Sequence, residues 1–158
     1  MKSLAVAEMM STHPITCSGE DDIITAARIL TKYNISSLVV VDHDEVKGII
    51  TVDDIVRRVV AKNENSQLKK VKDIMTKDII SVEPNATVGE VIDTLNSNSI
   101  SQVPVMKHKK LHGFVTLKDL LRLQPAFFEL FKSRFEDEEK ERRSFIKNYG
   151  DVSDDDLE

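Results

Sequence analysis

The chain has 158 residues, of which 41% are apolar and 31% charged. It has no tryptophan and only 5% aromatics, so its core must be aliphatic. The net charge of −5 is matched by the carboxylates of Asp151, Asp154, Asp155, Asp156 and Glu158 alone; the remainder is near neutral and lacks the basic footprint of a nucleic-acid binder. A single cysteine, Cys17, excludes an intrachain disulfide and a multi-cysteine metal site. No apolar run reaches a membrane span, and Leu4–Ala7 is too short for a secretory leader, so a cytoplasmic protein without membrane attachment is expected.

The first elements recur. A shift of 65 positions lays residues 6–57 on residues 71–122 without a gap, pairing Met10 with Met75, Ile15 with Ile80, Gly48 with Gly113, Thr51 with Thr116 and Asp54 with Asp119. Each copy opens with a short apolar stretch (Ile15-Thr16-Cys17; Ile80-Ser81-Val82) expected to be a strand. A helix follows, its apolar residues at Ile23, Ala26, Ala27 and Leu30, or at Val88, Val91, Ile92 and Leu95. That i, i+3, i+4, i+7 spacing gives one buried stripe. Thr87 and Glu90 have capping-box spacing at the start of the second of these helices.

Two strands come next, Leu38–Val41 and Gly48–Thr51, then Val103–Met106 and Gly113–Thr116. Their near-continuous apolarity suits a sheet covered on both faces. A last short helix is expected to open at Asp54 or Asp119. The unit reads β-α-β-β-α, and the expected fold class is α/β (α+β), two such repeats plus a C-terminal helix. The polar segment 62–70 connects them. The expected division is residues 1–66, 67–124, a helical extension 125–149 and a disordered acidic tail 150–158. In the extension, Phe127, Leu130, Phe131 and Phe135 form one apolar face, followed by a solvated, mixed-charge stretch at 136–143.

Each copy carries Gly-(two apolar)-Thr-x-x-Asp-(apolar): Gly48-Ile49-Ile50-Thr51-Val52-Asp53-Asp54-Ile55 and Gly113-Phe114-Val115-Thr116-Leu117-Lys118-Asp119-Leu120. Where a strand gives way to a helix, unpaired N–H groups attract phosphate oxygens, with the Thr hydroxyl as a further donor. The Asp carboxylate can accept two hydrogen bonds from a ribose diol. Thr-x-x-Asp is equally the spacing of a helix cap, and both readings can hold together. Arg57, Arg58, Lys118 and Arg122 are possible phosphate contacts.

Other groupings are weaker. His108 and His112 fall in a hairpin and have no third ligand, and Asp42–Glu45 lacks the glycine and closing glutamate of a calcium loop, so no metal site is expected. Cys17 reads as a small buried hydrophobe. No nucleophile stands beside a base in a recognisable motif, so neither a catalytic residue nor a catalytic cofactor is expected.

The sequence resembles the CBS-domain (cystathionine β-synthase) family over about residues 6–123. Val6-Ala7-Glu8-Met9-Met10-Ser11 and Val71-Lys72-Asp73-Ile74-Met75-Thr76 are similar to the V-x-D-x-M-T opening of a repeat. Ile35-Ser36-Ser37-Leu38-Val39-Val40-Val41-Asp42 and Ile100-Ser101-Gln102-Val103-Pro104-Val105 resemble its I-x-x-L-P-V-V-D strand, the first with Val39 in place of Pro. The resemblance implies a pseudo-twofold pair of repeats with two equivalent clefts. It places Ile15, Thr16, Cys17, Ser36 and Ser37 around Thr51 and Asp54, and Ile80, Ser81, Val82, Ser101 and Gln102 around Thr116 and Asp119. The Asp is expected to hold ribose and the Thr to contact phosphate. The implied function is regulatory: sensing an adenosine compound (AMP, ADP, ATP or S-adenosylmethionine) for an effector protein, without catalysis. A structural dimerisation protein with vestigial clefts is the alternative, and an enzyme the third class. Since CBS pairs commonly dimerise, Phe127, Phe131 and Phe135 are expected to support a homodimer. With Asp53 in one motif and Lys118 at the same place in the other, the second cleft is expected to favour the more phosphorylated nucleotide.

Overall fold

A computed structural model of the chain describes residues 4–149; the acidic tail lies outside the described residues. The first copy begins with β1 (Thr16–Cys17) and α1 (Ile23–Tyr33). Asp22 caps α1 by accepting from the Thr25 N–H at 2.7 Å, and Asn34 ends it in the left-handed region at φ 51°. The apolar stripe of the sequence is the buried face, with Ile23, Ala26 and Leu30. β2 (Ser37–Asp42) pairs parallel with β1 and antiparallel with β3 (Glu45–Thr51), giving the order β1-β2-β3. Both strands extend further than their apolar cores, because His43 and Asp44 make a tight turn, both at positive φ. α2 (Val52–Ile55) follows directly and continues as one wide π-type turn over Val56–Val60.

After α3 (Val71–Ile74), the second copy repeats the plan with α4 (Val88–Ser97), β4 (Gln102–Lys107), β5 (Lys110–Thr116) and α5 (Leu117–Leu123). Thr87 and Glu90 form the expected capping box on α4. Two expectations need correction. The stretch Ile80-Ser81-Val82 does not form a strand: only Val82 bridges to Val105, so β4 and β5 make a two-stranded sheet. The closing helices begin at Val52 and Leu117, two residues before Asp54 and Asp119, because Thr51 and Thr116 are the N-caps.

The two copies exchange their entry segments. Val6 is fully buried in the core of the second copy, among Val91, Leu95, Val103 and Val115, and its N–H bonds the Ala86 carbonyl at 2.8 Å. Val71 and Ile74 belong in turn to the core of the first, with Ile23, Leu38 and Ile50. Paired backbone bonds fix each exchange: Ser11 with Phe114 (2.9 Å in both directions) and Thr76 with Ile49 (2.8 and 3.0 Å). The repeated Met and Gly of the sequence meet here. A Cβ on Gly48 would lie 2.7 Å from both Met75 Sδ and the Thr76 carbonyl, and one on Gly113 would lie 2.7 Å from Met10 Cγ and the Ser11 carbonyl. Only glycine admits the exchanged segment at that distance. The Val46 N–H also reaches the Lys109 carbonyl at 2.8 Å, joining β3 to the hairpin of the other copy.

α6 (Phe128–Tyr149) lies against α4. Phe131 is completely buried in the second copy's core, with Phe127 and Phe135 packed beside it. Of the apolar face expected to hold a second chain, Phe131 is thus covered by the chain's own repeat, Phe127 and Phe135 are half-buried and Leu130 is exposed. Arg134 pins the helix: its guanidinium donates to the Ile100 carbonyl at 2.8 Å and to Ser101 Oγ at 3.3 Å, while Asn96 Nδ2 donates to the Leu130 carbonyl at 3.2 Å.

Candidate functional site

Because the entry segments are exchanged, the wall that faces Thr51 and Asp54 comes from the other copy. A cavity of about 620 Å³ has Thr51, Asp53 and Asp54 on one side and Thr76, Asp78, Ile79 and Ile80 on the other. Ile49, Ile100, Ser101 and Gln102 complete its walls. A second cavity, of about 550 Å³, is lined by Ser11, His13, Pro14 and Ile15, by Ile35, Ser36 and Ser37, and by Phe114 across from them. Under the 65-residue shift those eight become Thr76, Asp78, Ile79, Ile80, Ile100, Ser101 and Gln102, with Phe114 answering Ile49, so the cavities are pseudo-twofold mates. Both volumes fall in the range of small-molecule sites. Ser36, Val52 and Gln102 line both.

The structure therefore regroups the expected residues. Thr51 and Asp54 face Ile80, Ser101 and Gln102, whereas Ile15 and Ser37 belong to the other cavity and Ser36 to both. Thr16 and Cys17 line neither; Thr16 is exposed and Cys17 sits in the first core. Ser81 and Val82 line neither, Val82 being a core residue. Thr116, Asp119, Arg57, Lys118 and Arg122 also stand outside the two linings, although Phe114 brings β5 into one of them. Asp78 and His13 escaped the sequence reading, which looked for the pocket wall only in the triplets beginning at Ile15 and Ile80. The gapless shift pairs them and was the available signal.

The motif itself is a formed cap in both copies. The Thr51 N–H and hydroxyl donate to Asp54 Oδ2, both at 2.9 Å, and Thr51 Oγ1 accepts from the Asp54 N–H at 3.0 Å. Thr116 and Asp119 repeat this at 2.9, 2.7 and 3.2 Å. The open N–H groups expected at the helix start are largely used. The Val52 N–H bonds the Ser36 carbonyl at 3.0 Å, and the Leu117 N–H bonds the Ser101 carbonyl at 2.8 Å. The second oxygen of Asp54 differs between copies. It pairs with Arg58 at 3.2 Å, and Arg58 also donates to the Ile74 carbonyl at 2.5 Å. The equivalent position in the second copy is Leu123.

Burial, reinforced by Asp21 and Asp42, pushes the Cys17 thiol up to about 12. At pH 8 that leaves a thiolate fraction of about one in ten thousand. Native protein is expected to react with a thiol-specific disulfide reagent at least tenfold more slowly than urea-unfolded protein. Equal rates would remove Cys17 from the core.

A CBS domain family model matches residues 6–61 and 71–126. An uncharacterized protein of Bacillus subtilis, YlbB, is 38% identical over 118 residues, covering 73% of this chain and 78% of that protein. The inosine-5'-monophosphate dehydrogenase of Methanocaldococcus jannaschii is 32% identical over 117 residues, 73% of this chain but 22% of the enzyme. Among solved structures, the CBS domain pair of protein MJ0100 in complex with 5'-methylthioadenosine and S-adenosyl-L-methionine superposes with a TM-score of 0.70 at 34% identity, covering 78% of this chain and 98% of that one. CBS pairs are regulatory ligand-binding modules, and no helix among the described residues here is long and apolar enough to cross a membrane. With both of its repeats matched by the family model, the chain belongs to the CBS-domain family.

Proposed function

We propose that this CBS pair is a cytoplasmic regulatory module that binds an adenosine-containing ligand between its repeats and passes the occupancy to an effector protein, with no catalysis of its own. The observation that carries the reading is the cavity walled by Thr51 and Asp54 from one copy and by Ile80, Ser101 and Gln102 from the other. Its apolar isoleucines suit a purine face, and beside its two capping bonds and its Arg58 pair Asp54 keeps one acceptor site for a ribose hydroxyl. The MJ0100 pair, which holds two adenosine compounds, supports the ligand class by analogy.

The capping boxes favour a second reading. Thr51 and Asp54 satisfy each other with no ligand at all, as a purely structural module would require. A thermal-shift series separates the two. AMP, ATP, S-adenosylmethionine and NAD are each added at millimolar concentration, and a ligand a hundredfold above its Kd is expected to stabilise by about 2.7 kcal/mol. A rise of several degrees with at least one compound, absent in Asp54→Ala, supports sensing. No shift with any of them leaves the structural role. The module is further proposed to form a homodimer, with exposed Val56, Val60, Phe128 and Leu130 as its available apolar surface.

A further inference from the structure

We infer that the cleft of Thr51 and Asp54 selects an adenosine-type ligand whose tail is cationic, such as a sulfonium, over nucleotides with anionic tails, and that Asp78 is the residue that sets this preference. The inference rests on the ligand-sensing reading above and names the class of ligand for one of its two clefts.

Three carboxylates, Asp53, Asp54 and Asp78, stand in the wall of this cavity, and among the described residues no lysine, arginine or histidine lines it. The nearby cations neutralise two of these carboxylates and leave Asp78 the unpaired one in the wall among the described residues. Arg57 pairs with Asp53 at 2.9 Å out in solvent, and Arg58 is held between Asp54 and the Ile74 carbonyl. Backbone donors do not replace them, since the Val52 and Asp54 N–H groups are bonded to Ser36 and Thr51. A phosphate would meet the unpaired charge of Asp78 with only the neutral side chains of Ser36, Thr76, Ser101 and Gln102 as donors, whereas a positive tail would find in Asp78 a carboxylate that carries no ion pair among the described residues. The pseudo-twofold mate provides the internal contrast. His13 stands where Asp78 does, and no carboxylate lines that cavity. The two clefts thus differ in charge character while sharing an apolar wall, with Pro14 and Phe114 in one where the other has Ile79 and Ile49. Asp78 and Asp53 are exposed, so the preference is an electrostatic one that salt screens.

The test is calorimetric titration of the ligand-stripped full-length protein with adenosine, S-adenosylmethionine, S-adenosylhomocysteine and ATP. The middle two differ by the sulfonium charge and its methyl group. Binding to this cleft is defined as the event lost in Asp54→Ala, whose fold is checked by circular dichroism. There, S-adenosylmethionine is expected to bind about fivefold or more tightly than S-adenosylhomocysteine and at least tenfold more tightly than ATP at low salt. The first ratio should fall toward one both in 0.5 M NaCl and in Asp78→Asn. ATP binding as tightly as S-adenosylmethionine, or an unchanged ratio in Asp78→Asn, overturns the inference while leaving adenosine sensing intact. If adenosine and all its derivatives fail to bind, both the inference and the functional reading fall.

Discussion

Residues 1–66 and 67–158, expressed separately, are expected to be insoluble or molten, and to recover native structure when refolded together. The cut falls between the copies in sequence but through both of them in space. The first fragment loses Val71 and Ile74 from its core, and the second loses Val6 from beneath α4. Each such side chain contributes about 1.5–3 kcal/mol by burial. The paired backbone bonds at Thr76–Ile49 and Ser11–Phe114 are lost with them. Set against a typical domain stability of about 5–15 kcal/mol, that deficit leaves neither half a margin. Fragment 12–80, by contrast, retains both Val71 and Ile74 and is expected to be the better folded of any pieces of the first copy. Amide dispersion in proton–nitrogen correlation spectra and the cooperativity of thermal melts read the outcome. Two well-folded monomers from the cut at 66 would show that the exchange is dispensable.

Phe131→Ala is expected to destabilise the protein by about 3–5 kcal/mol, the usual cost of emptying a buried phenylalanine site. For a chain of this size, that lowers Tm by on the order of 10 °C. Phe128→Ala is the control: Phe128 is 45% exposed, although its ring stacks on Phe135 at 5.5 Å. It is expected to cost less than about 1.5 kcal/mol, the upper worth of such an aromatic pair. Truncation after Leu123 removes Phe131 and Arg134 together and is expected to do at least as much harm as Phe131→Ala. Light scattering on the folded variants then tells whether any dimer depends on this helix. A Tm within 2 °C of the parent for Phe131→Ala would mean that α6 does not complete the second core.

Both expectations rest on contacts that the sequence conveys only in part. The stripe of Ile23, Ala26 and Leu30 and that of Val88, Val91, Ile92 and Leu95 are visible because a helix with one buried face must repeat at 3.6 residues. The Thr-x-x-Asp caps are legible for the same local reason. Periodicity reports that a face is covered and is silent about what covers it. Val6 and Val71 therefore looked like openings of their own repeats, and Phe131 looked like a surface for a second chain. The grouping of the candidate site followed that error. Once the entry segments cross, Ile80 belongs with Thr51, and Asp78 and His13 come into the walls. The failure of Ile80-Ser81-Val82 to form a strand is of another kind. Its apolar composition matches Ile15-Thr16-Cys17, but only the Val82 N–H and carbonyl are used in the ladder, with Pro104 and Met106.

Ser101 lines the cavity of Thr51 and Asp54 and also receives the guanidinium of Arg134. From Arg134 the helix runs on to Tyr149, fifteen residues or about 22 Å at the standard rise. Any tilt of α6 about this contact would therefore be amplified along its length. A tilt of about 5° at Arg134 carries the far end roughly 2 Å, given that length. The arm from Glu136 to Arg143 is densely charged and exposed, so a displacement there moves a field of formal charges across the surface. A rearrangement too small to register at Ser101 would be read at the tip as a change in where those charges stand.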